Sequence, residues 1–320
     1  MIYRRPNPIV VTNAIYDPSL PCWKEQALKV AEVKKISTGK GAVVGYIDDG
    51  VGCNTELAGA KIERWSFFEK SIPIGDHSTF GATIIAGSNL GIFPDLKIVS
   101  KQVIDPDTGV ASTMEVASAI KHALDTGIQT INLSMGADGP DPIIEAALSA
   151  YVANGINIAV VSAGNDGPGN GTTDWPARYA EKYTGIFSAA ATEIDEAGNI
   201  KIALFSSRGI TTISAPGAAL KSMDSKSQVE YIYGTSFSAP IVSAAVAVAR
   251  TLRSTPLTQK EILAHLYRSS DNAYDREDGG YGNINIVDFL KRCKNKPDTD
   301  TIIPAVKKTF WQRLKCVFGC

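Results

Sequence analysis

Short apolar runs alternate along this chain with longer stretches whose apolar residues recur at helical spacing. The runs predicted to be strands are Ala42–Ile47, Lys97–Val103, Gln129–Ser134, Ile156–Ser162 and Ile186–Ala191. The stretches predicted to be helices are His77–Gly87, Thr113–Asp125, Pro142–Ala153, Ser236–Leu252 and Thr258–Arg268. Strands that alternate with helices are typical of a parallel sheet covered by helices on both faces. The pattern therefore predicts an α/β fold with three layers, α/β/α, around a mainly parallel central sheet.

Composition excludes several classes of protein. The chain has 320 residues and a net charge of −1, so it lacks the basic excess of a typical nucleic-acid-binding protein. No apolar stretch is long enough to span a membrane. Large α/β enzymes often use a chain of this length as one domain.

The composition changes after Asn295, where residues 296–301 are polar and include a proline. This change predicts a globular part, residues 1–295, followed by a linker and a basic amphipathic tail, residues 296–320. Apolar tail residues at helical spacing alternate with lysines and an arginine. Such a helix either lies on a membrane surface, aided by acylation of Cys316 or Cys320, or packs on its own domain or on a partner protein.

Ser236 is a candidate nucleophile because it follows a Gly-Thr turn at the start of a helix of small apolar residues. A helix so free of charge is buried, and its N-terminus offers unpaired N–H groups and a partial positive charge that suit an oxyanion. Serine is also a common helix cap. This segment alone supports a nucleophile and a simple cap about equally.

Three histidines could provide a base for this hydroxyl. His122 and His265 lie in amphipathic helical stretches, whereas His77 opens a run of small apolar residues. Asp48 is the first of two adjacent acids that end a buried-strand pattern, and catalytic groups gather at the carboxyl ends of parallel strands. An acid there can orient a histidine, although a plain turn would explain one of the two acids.

Five segments together resemble the subtilases, the subtilisin-like serine peptidases. They are YIDDGV with Asp48, GDHSTFGATIIAG with His77, INLSMG with Ser134, VVSAGNDG with Asn165 and GTSFSAP with Ser236, in the order of that family. The similarity extends over about residues 14–290. It implies a subtilisin-like fold in which Ser236 attacks the scissile carbonyl, His77 acts as general base and then acid, and Asp48 orients His77. It also implies that the Asn165 amide and the Ser236 N–H stabilise the oxyanion.

The resemblance further implies where an extended peptide substrate binds. The side chain before the cut is expected in a pocket lined by Ser134, Met135, Gly136, Ser162, Ala163 and Gly164. Alignment through Trp175-Pro176 places Asp174 near the bottom of this pocket, where a carboxylate would favour lysine or arginine. A solvent-facing Asp174 is the favoured alternative, because residues 165–175 form a shorter segment than in typical members. Asp49 is a weaker hint of the same kind, since Asp-Asp-Gly resembles the basic-specific kexin branch.

Three residues depart from the family pattern, namely Ser78 in place of a glycine, Phe80 in place of a histidine and Phe237 in place of a methionine. None of them removes a reacting group. The stretch from Ala86 to Ile92 is too short for the calcium-binding loop that is common in the family, and no cysteine pair has metal-ligand spacing. We therefore expect no required cofactor and no metal among the site residues, while calcium at weaker sites stays an open alternative.

Two other functions are compatible with this fold. A cyclising transamidase would pass the acyl group to a peptide amine, although the insertion that such relatives carry is missing here. A non-catalytic binding module would not need the full set of reacting groups.

The chain shows neither a secretory signal nor room for a pro-domain, and its five cysteines are odd in number and scattered. These features predict a cytoplasmic enzyme that acts on polypeptides and not on nucleic acid. The tail is its candidate contact with a membrane surface or a partner protein.

Overall fold

The computed structural model describes residues 1–4, 23–68, 75–105, 108–168, 173–271 and 280–295. The predicted linker and tail, residues 296–320, lie outside this part, and the predictions made for them stay predictions. Within the described residues, no helix combines the length and the hydrophobicity needed to cross a membrane.

A central eight-stranded sheet organises the described part. In spatial order its main strands are β10 (Ile213–Pro216), β8 (Ile186–Ile194), β7 (Ile158–Ser162), β6 (Thr130–Leu133), β2 (Val43–Asp48), β4 (Lys97–Gln102) and β3 (Lys61–Ser66). All these neighbours pair in parallel, and β9 (Ile200–Ile202) pairs antiparallel with β8. The five strands predicted from the sequence are all present, with ends that differ by a few residues.

Helices cover both faces of this sheet. They are α1 (Trp23–Ala27), α2 (Val30–Ile36), α3 (Asp76–Ala86), α4 (Thr113–Asp125), α5 (Pro142–Val152), α6 (Thr235–Thr251), α7 (Gln259–Ser269) and α8 (Ile286–Asn295). Alternate residues of β7 point to opposite faces, so Ile158 and Val160 join the core under α3 and α6, whereas Ala159 and Val161 join the core under α4 and α5. This arrangement confirms the predicted three-layer α/β/α fold.

Two small antiparallel sheets lie beside the central one. Strand β11 (Leu220–Met223) pairs with β12 (Val229–Ile232), and β1 (Ile2–Arg4) pairs with β5 (Val110–Ser112). Strand β1 was not predicted, because three residues are too few to show a hydrophobic period. Its central residue, Tyr3, is fully buried in the core under α4 and α5.

Helix N-termini fall into two groups according to what caps them. Ser112, Asp141 and Thr258 cap α4, α5 and α7 with their own side chains, as their sequences favour. Helices α3 and α6 instead begin after Gly75 and Gly234, which have no side chain to act as a cap. The N–H groups of these two helices are therefore left for residues from other segments.

Candidate active site

Asp48 and His77 form a buried pair between the end of β2 and the start of α3. The Nδ1 atom of His77 lies 2.9 Å from Oδ2 and 3.0 Å from Oδ1 of Asp48. Burial raises the pKa of Asp48 to about 6, and the charge of Asp49 adds to this effect while His77 opposes it. The carboxylate is thus placed to accept the Nδ1 proton of His77 and to hold the ring in one orientation.

Ser236 is the second residue of α6 and is buried. The preceding Gly234 has φ of 150°, a backbone conformation that favours glycine. The Ser236 hydroxyl has no hydrogen-bond partner among the described residues. The ring of the next residue, Phe237, lies 5.4 Å from the His77 ring. The start of α6 therefore lies beside the Asp48–His77 pair.

The backbone of Ser236 is tied to the neighbouring strand. Pro240 has no N–H, so it cannot donate to the Ser236 carbonyl four residues earlier as a helical residue would. The hydroxyl of Ser134 makes this hydrogen bond instead, at 2.8 Å. Asn132 donates to that hydroxyl and accepts from Ser243 of α6, so a chain of side chains joins β6 to the helix. Ser134, predicted to line the substrate pocket, is fully buried and supports the Ser236 segment.

Asn165 contacts the first residue of α6. Its Oδ1 atom accepts from the Thr235 N–H and from the Thr235 hydroxyl, both at 3.0 Å. A backbone N–H can only donate, so this contact identifies which end of the amide is the oxygen. The Nδ2 atom lies 3.5 Å from the point where a Cβ on Gly234 would stand. Asn165 therefore caps α6 from another segment and keeps its N–H₂ group beside the turn before Ser236.

Asp174 lies between the two glycines of the predicted pocket. A Cβ added to Gly136 would come within 2.7 Å of the Asp174 carboxylate, and one added to Gly164 within 2.5 Å of it. The Asp174 N–H donates to the Ala163 carbonyl at 2.8 Å. The side chain is only partly buried. The structure thus brings Asp174 to the pocket segments, the position that was the less favoured of the two alternatives.

Most of the other residues predicted to line the substrate pocket are buried. Met135 and Ala163 are fully buried, and Ser162 is nearly so. Beyond Gly136, a cavity of about 420 Å³ is lined by Asp138, Asp166 and Asp174 together with residues of β1. Burial, followed by the charges of Asp166 and Asp138, raises the pKa of Asp174 to about 7. Asp174 is therefore the least exposed of three acids in a cavity that Arg4 also lines.

The subtilase family model matches residues 39–283. The chain belongs to the subtilase family. It is 28% identical over 257 residues to thermitase of Thermoactinomyces vulgaris, a match that covers 77% of this chain and 87% of thermitase. It is 29% identical over 228 residues to the thermophilic serine proteinase of Bacillus sp. strain AK1, covering 68% of this chain and 53% of that protein.

Solved structures agree with the fold. Fervidolysin from Fervidobacterium pennivorans, a keratinolytic enzyme related to subtilisin, superposes with a TM-score of 0.79 at 23% identity, over 93% of this chain and 52% of fervidolysin. The prenylagaramide maturation protease PagA superposes with a TM-score of 0.68 at 23% identity, over 82% of this chain and 98% of PagA. At this level of identity the two structures support the fold.

Two of the residues that depart from the subtilase pattern contact each other. Phe80 on α3 and Phe237 on α6 meet edge to face, with ring centroids 6.4 Å apart. Phe237 also contacts the His77 ring, so Phe80 packs against the residue that lies beside His77. The sequence marked both positions as unusual but could not show that they are neighbours.

Asp49 does not lie where a substrate side chain could reach it. It is fully buried, and its carboxylate accepts hydrogen bonds from His77 N at 3.3 Å and from Ser78 N at 2.9 Å. The hint from Asp49 therefore rests only on the resemblance of Asp-Asp-Gly to the kexin branch, and it stays a prediction. The position of Asp49 was not predicted from the sequence. The only signal for it was a second acid beside Asp48, where a turn would explain one.

Two charged side chains hold the loop after α3, where calcium binds in many subtilases. The Glu56 carboxylate accepts from the N–H groups of Asn89 at 2.8 Å and Leu90 at 2.9 Å. The buried Lys24 ammonium donates to the Leu90 carbonyl at 2.6 Å. The Leu90 carbonyl oxygen thus faces the Lys24 ammonium group, and the Glu56 carboxylate already accepts from two N–H groups. With its oxygen atoms engaged in this way, the loop does not fit a calcium ion.

Proposed function

We propose that this subtilase hydrolyses peptide bonds through an acyl-enzyme formed on Ser236. In this mechanism His77 removes the hydroxyl proton and later protonates the leaving amine, and Asp48 orients His77 and stabilises its charged form. The Asn165 amide and the Ser236 N–H stabilise the oxyanion. The observation that carries the proposal is the buried contact of Asp48 with His77 Nδ1, next to a helix whose second residue is the candidate nucleophile.

Labelling with a fluorophosphonate tests this mechanism, because the reagent reacts with an activated serine. Wild type should be labelled, and Ser236→Ala should not be. Ser238→Ala is the matched control, since Ser238 lies on the same helix and its hydroxyl donates to the Ala215 carbonyl. The control should fold and still react. Labelling that persists in folded Ser236→Ala would exclude Ser236 as the nucleophile.

We propose that the substrate pocket beside Asp174 selects substrates with arginine or lysine before the cut. The carboxylate of Asp174 lies against Gly136 and Gly164, and a cationic side chain there would relieve its repulsion with Asp166 and Asp138. Hydrogen bonds to charged groups contribute about 1.5–3 kcal/mol, so kcat/KM for an arginine peptide should exceed that for the matched leucine peptide by roughly tenfold or more.

The variant Asp174→Asn should remove most of this preference for arginine. The matched control is Asp138→Asn, which removes an exposed acid at the rim of the same cavity and should have a smaller effect. A wild-type preference for leucine would exclude a basic specificity.

Products distinguish hydrolysis from the two alternatives. Mass spectrometry of a peptide with a free N-terminus should show two hydrolytic fragments. A cyclised or ligated product would instead indicate transamidation. If neither kind of product forms and fluorophosphonate does not label the protein, the result would indicate a binding module.

The cellular setting is a separate proposal, in which the protein is cytoplasmic and its tail contacts a membrane surface or a partner. Among the described residues Cys53 is exposed and forms no disulfide, which favours a reducing compartment. Cell fractionation tests the location. Flotation with liposomes, with and without residues 297–320, tests the tail, and equal sedimentation of both forms would end the membrane hypothesis.

A further inference from the structure

Asp49 and Ser78 are each unusual in the sequence, and in the structure they are partners. The Ser78 hydroxyl donates to Asp49 Oδ1 at 2.6 Å, and the Ser78 N–H donates to the same oxygen at 2.9 Å. Both residues are buried. A glycine at position 78, the usual residue in the family, would supply the N–H but not the hydroxyl.

The Asp49 side chain caps the N-terminus of α3 from another segment of the chain. Gly75 is the N-cap residue and has no side chain, and a Cβ there would stand 1.7 Å from Asp49 Oδ2. In that space the Asp49 carboxylate accepts from the second and third residues of the helix, His77 and Ser78. N-cap side chains accept from the same two positions, and a negative charge at a helix N-terminus is favourable.

His77 is consequently held at two points by consecutive residues of one strand end. Asp48 contacts ring atom Nδ1, and Asp49 accepts from the backbone N–H. The backbone of Asp49 is itself fixed, since its carbonyl accepts from Gly75 N and from Gln102 Nε2, each at 3.2 Å. The two acids define both the orientation of the imidazole and the position of the backbone that carries it.

We propose that Asp49, together with Ser78, is a positioning residue that places His77 for catalysis. The inference deepens the proposed peptidase function and rests on it for the kinetic effect, but the geometry of His77 can be measured without any activity. Asp49 does not touch substrate or the reacting atoms. It acts through the start of α3.

The test compares Asp49→Asn and Ser78→Gly with wild type. In Asp49→Asn an amide N–H₂ replaces one of the two oxygens, so one of the helix donors faces another donor. Misplacement of a catalytic group by about 1 Å can cost 10²-fold, so kcat should fall by up to about that factor, with a smaller change in KM. Ser78→Gly loses one hydrogen bond and should show a milder loss. The two changes should not be additive if the residues act as a unit.

The pH profile separates positioning from a general loss of stability. Three carboxylates lie near His77, namely Asp48, Asp49 and the preceding Asp76, while α6 presents the uncharged Phe237. Removing the charge of Asp49 disfavours the imidazolium, so the acid limb of kcat/KM should move to lower pH. Thr258→Ala is the control, because it removes the cap of α7 away from the site. It should lower Tm and leave kcat and the pH profile unchanged.

The imidazole NMR titration keeps the inference testable whatever the activity is. His77 is assigned among the three histidines with the His77→Gln variant. A shifted His77 midpoint in Ser78→Gly, which changes no charge, supports the inference even if wild type fails to react with fluorophosphonate, and only the peptidase proposal then fails. A lower midpoint in Asp49→Asn is expected from the lost charge alone. An unchanged midpoint in folded Asp49→Asn and Ser78→Gly, together with wild-type kcat where the enzyme is active, would overturn the inference.

Discussion

At the scale of single residues, the site depends on groups whose charge is controlled by burial. Asp48 is fully buried, and yet in the proposed mechanism it must be ionised to stabilise the charged form of His77. Burial raises the pKa of Asp48 to about 6, and the contact with His77 favours its ionised form. The two groups therefore titrate as a pair, and the pair sets the range of pH in which the base is available.

The pH dependence of activity follows from this pair. Below about pH 6 the pair takes up a proton and can no longer accept the one from Ser236, so kcat/KM should fall about tenfold for each further pH unit. A pH series with a peptide substrate checks this, with Tm measured at each pH to exclude unfolding. An activity that is constant down to pH 4 would contradict the role of the pair.

The two ends of the Asn165 amide can be tested separately. Asn165→Asp keeps an oxygen that can accept from Thr235 N but replaces the N–H₂ donor with a second oxygen. The kcat value should fall about 10²–10³-fold with little change in KM, an effect of the size known for the oxyanion-hole amide of subtilisin and carried over from it. Single-turnover kinetics would measure the change.

Asn154→Asp provides the control for this substitution, because Asn154 Oδ1 also accepts from backbone N–H groups, those of Ile156 and Asn157. It makes the same chemical change outside the site and should leave kcat unchanged. Equal losses in the two variants would argue against an oxyanion role for Asn165.

At the scale of elements, β1 pairs with one edge of the predicted substrate pocket, at Gly136. The N–H and C=O groups of Arg4 pair with the C=O and N–H groups of Gly136, at 3.0 and 3.1 Å. An extended peptide that pairs with this edge would need the same two groups of Gly136. Removing residues 2–4 should therefore lower KM for extended peptides about tenfold, because two hydrogen bonds no longer have to be displaced.

A small ester substrate distinguishes competition at this edge from a general effect of the deletion. Its KM should not change, because it does not reach Gly136. Tyr3→Phe keeps the buried ring and the backbone pairing of β1, and should behave as wild type with both substrates. An unchanged KM for extended peptides after deletion would show that β1 and the substrate do not share the edge.

The loop after α3 is a second element whose stability can be tested. Because Lys24 and Glu56 engage its backbone, a chelator such as EDTA should leave Tm unchanged. Lys24→Met, which keeps the length of the side chain but loses the ammonium, should lower Tm by several degrees, since the Leu90 carbonyl loses its donor. Lys97→Met removes an exposed lysine and serves as the control. A Tm that falls with EDTA and recovers with calcium would refute the assignment.

At the scale of the whole molecule, the ionised Asp174 carboxylate should reduce the free energy of unfolding. The folded-state pKa of Asp174, about 7, lies above the usual 3.8, so the folded state binds a proton more tightly than the unfolded state. Stability is then lost as pH rises from about 4 to about 7 and stays reduced above that range. Asp174→Asn should have a higher Tm than wild type at pH 8 and a nearly equal Tm at pH 4. A difference that is the same at both pH values would contradict the raised pKa.

Much of the architecture could be predicted because its signals are local. The strands and the helices Thr113–Asp125 and Pro142–Val152 follow from hydrophobic period and from capping residues that lie within each segment. The motifs around Asp48, His77, Asn165 and Ser236 identified the candidate residues in the same way. Strand β1 and the ends of several elements were missed, since a three-residue strand has no period to detect.

What each candidate residue contacts was decided by the tertiary structure. Asp49 and Ser78 are separated by 28 intervening residues, and the mutual contact of these two residues has no signature within either segment. The same holds for Asp174, whose place between Gly136 and Gly164 depends on how two loops pack, and for Lys24, which reaches the Leu90 carbonyl. Hydrophobic period and turn residues report each residue's own segment, whereas hydrogen bonds between segments form only where packing brings them together. The chain's sequence by itself thus determined the layers, the family and the candidate reacting groups, and the folded structure determined how His77 is held and which charges lie around Asp174.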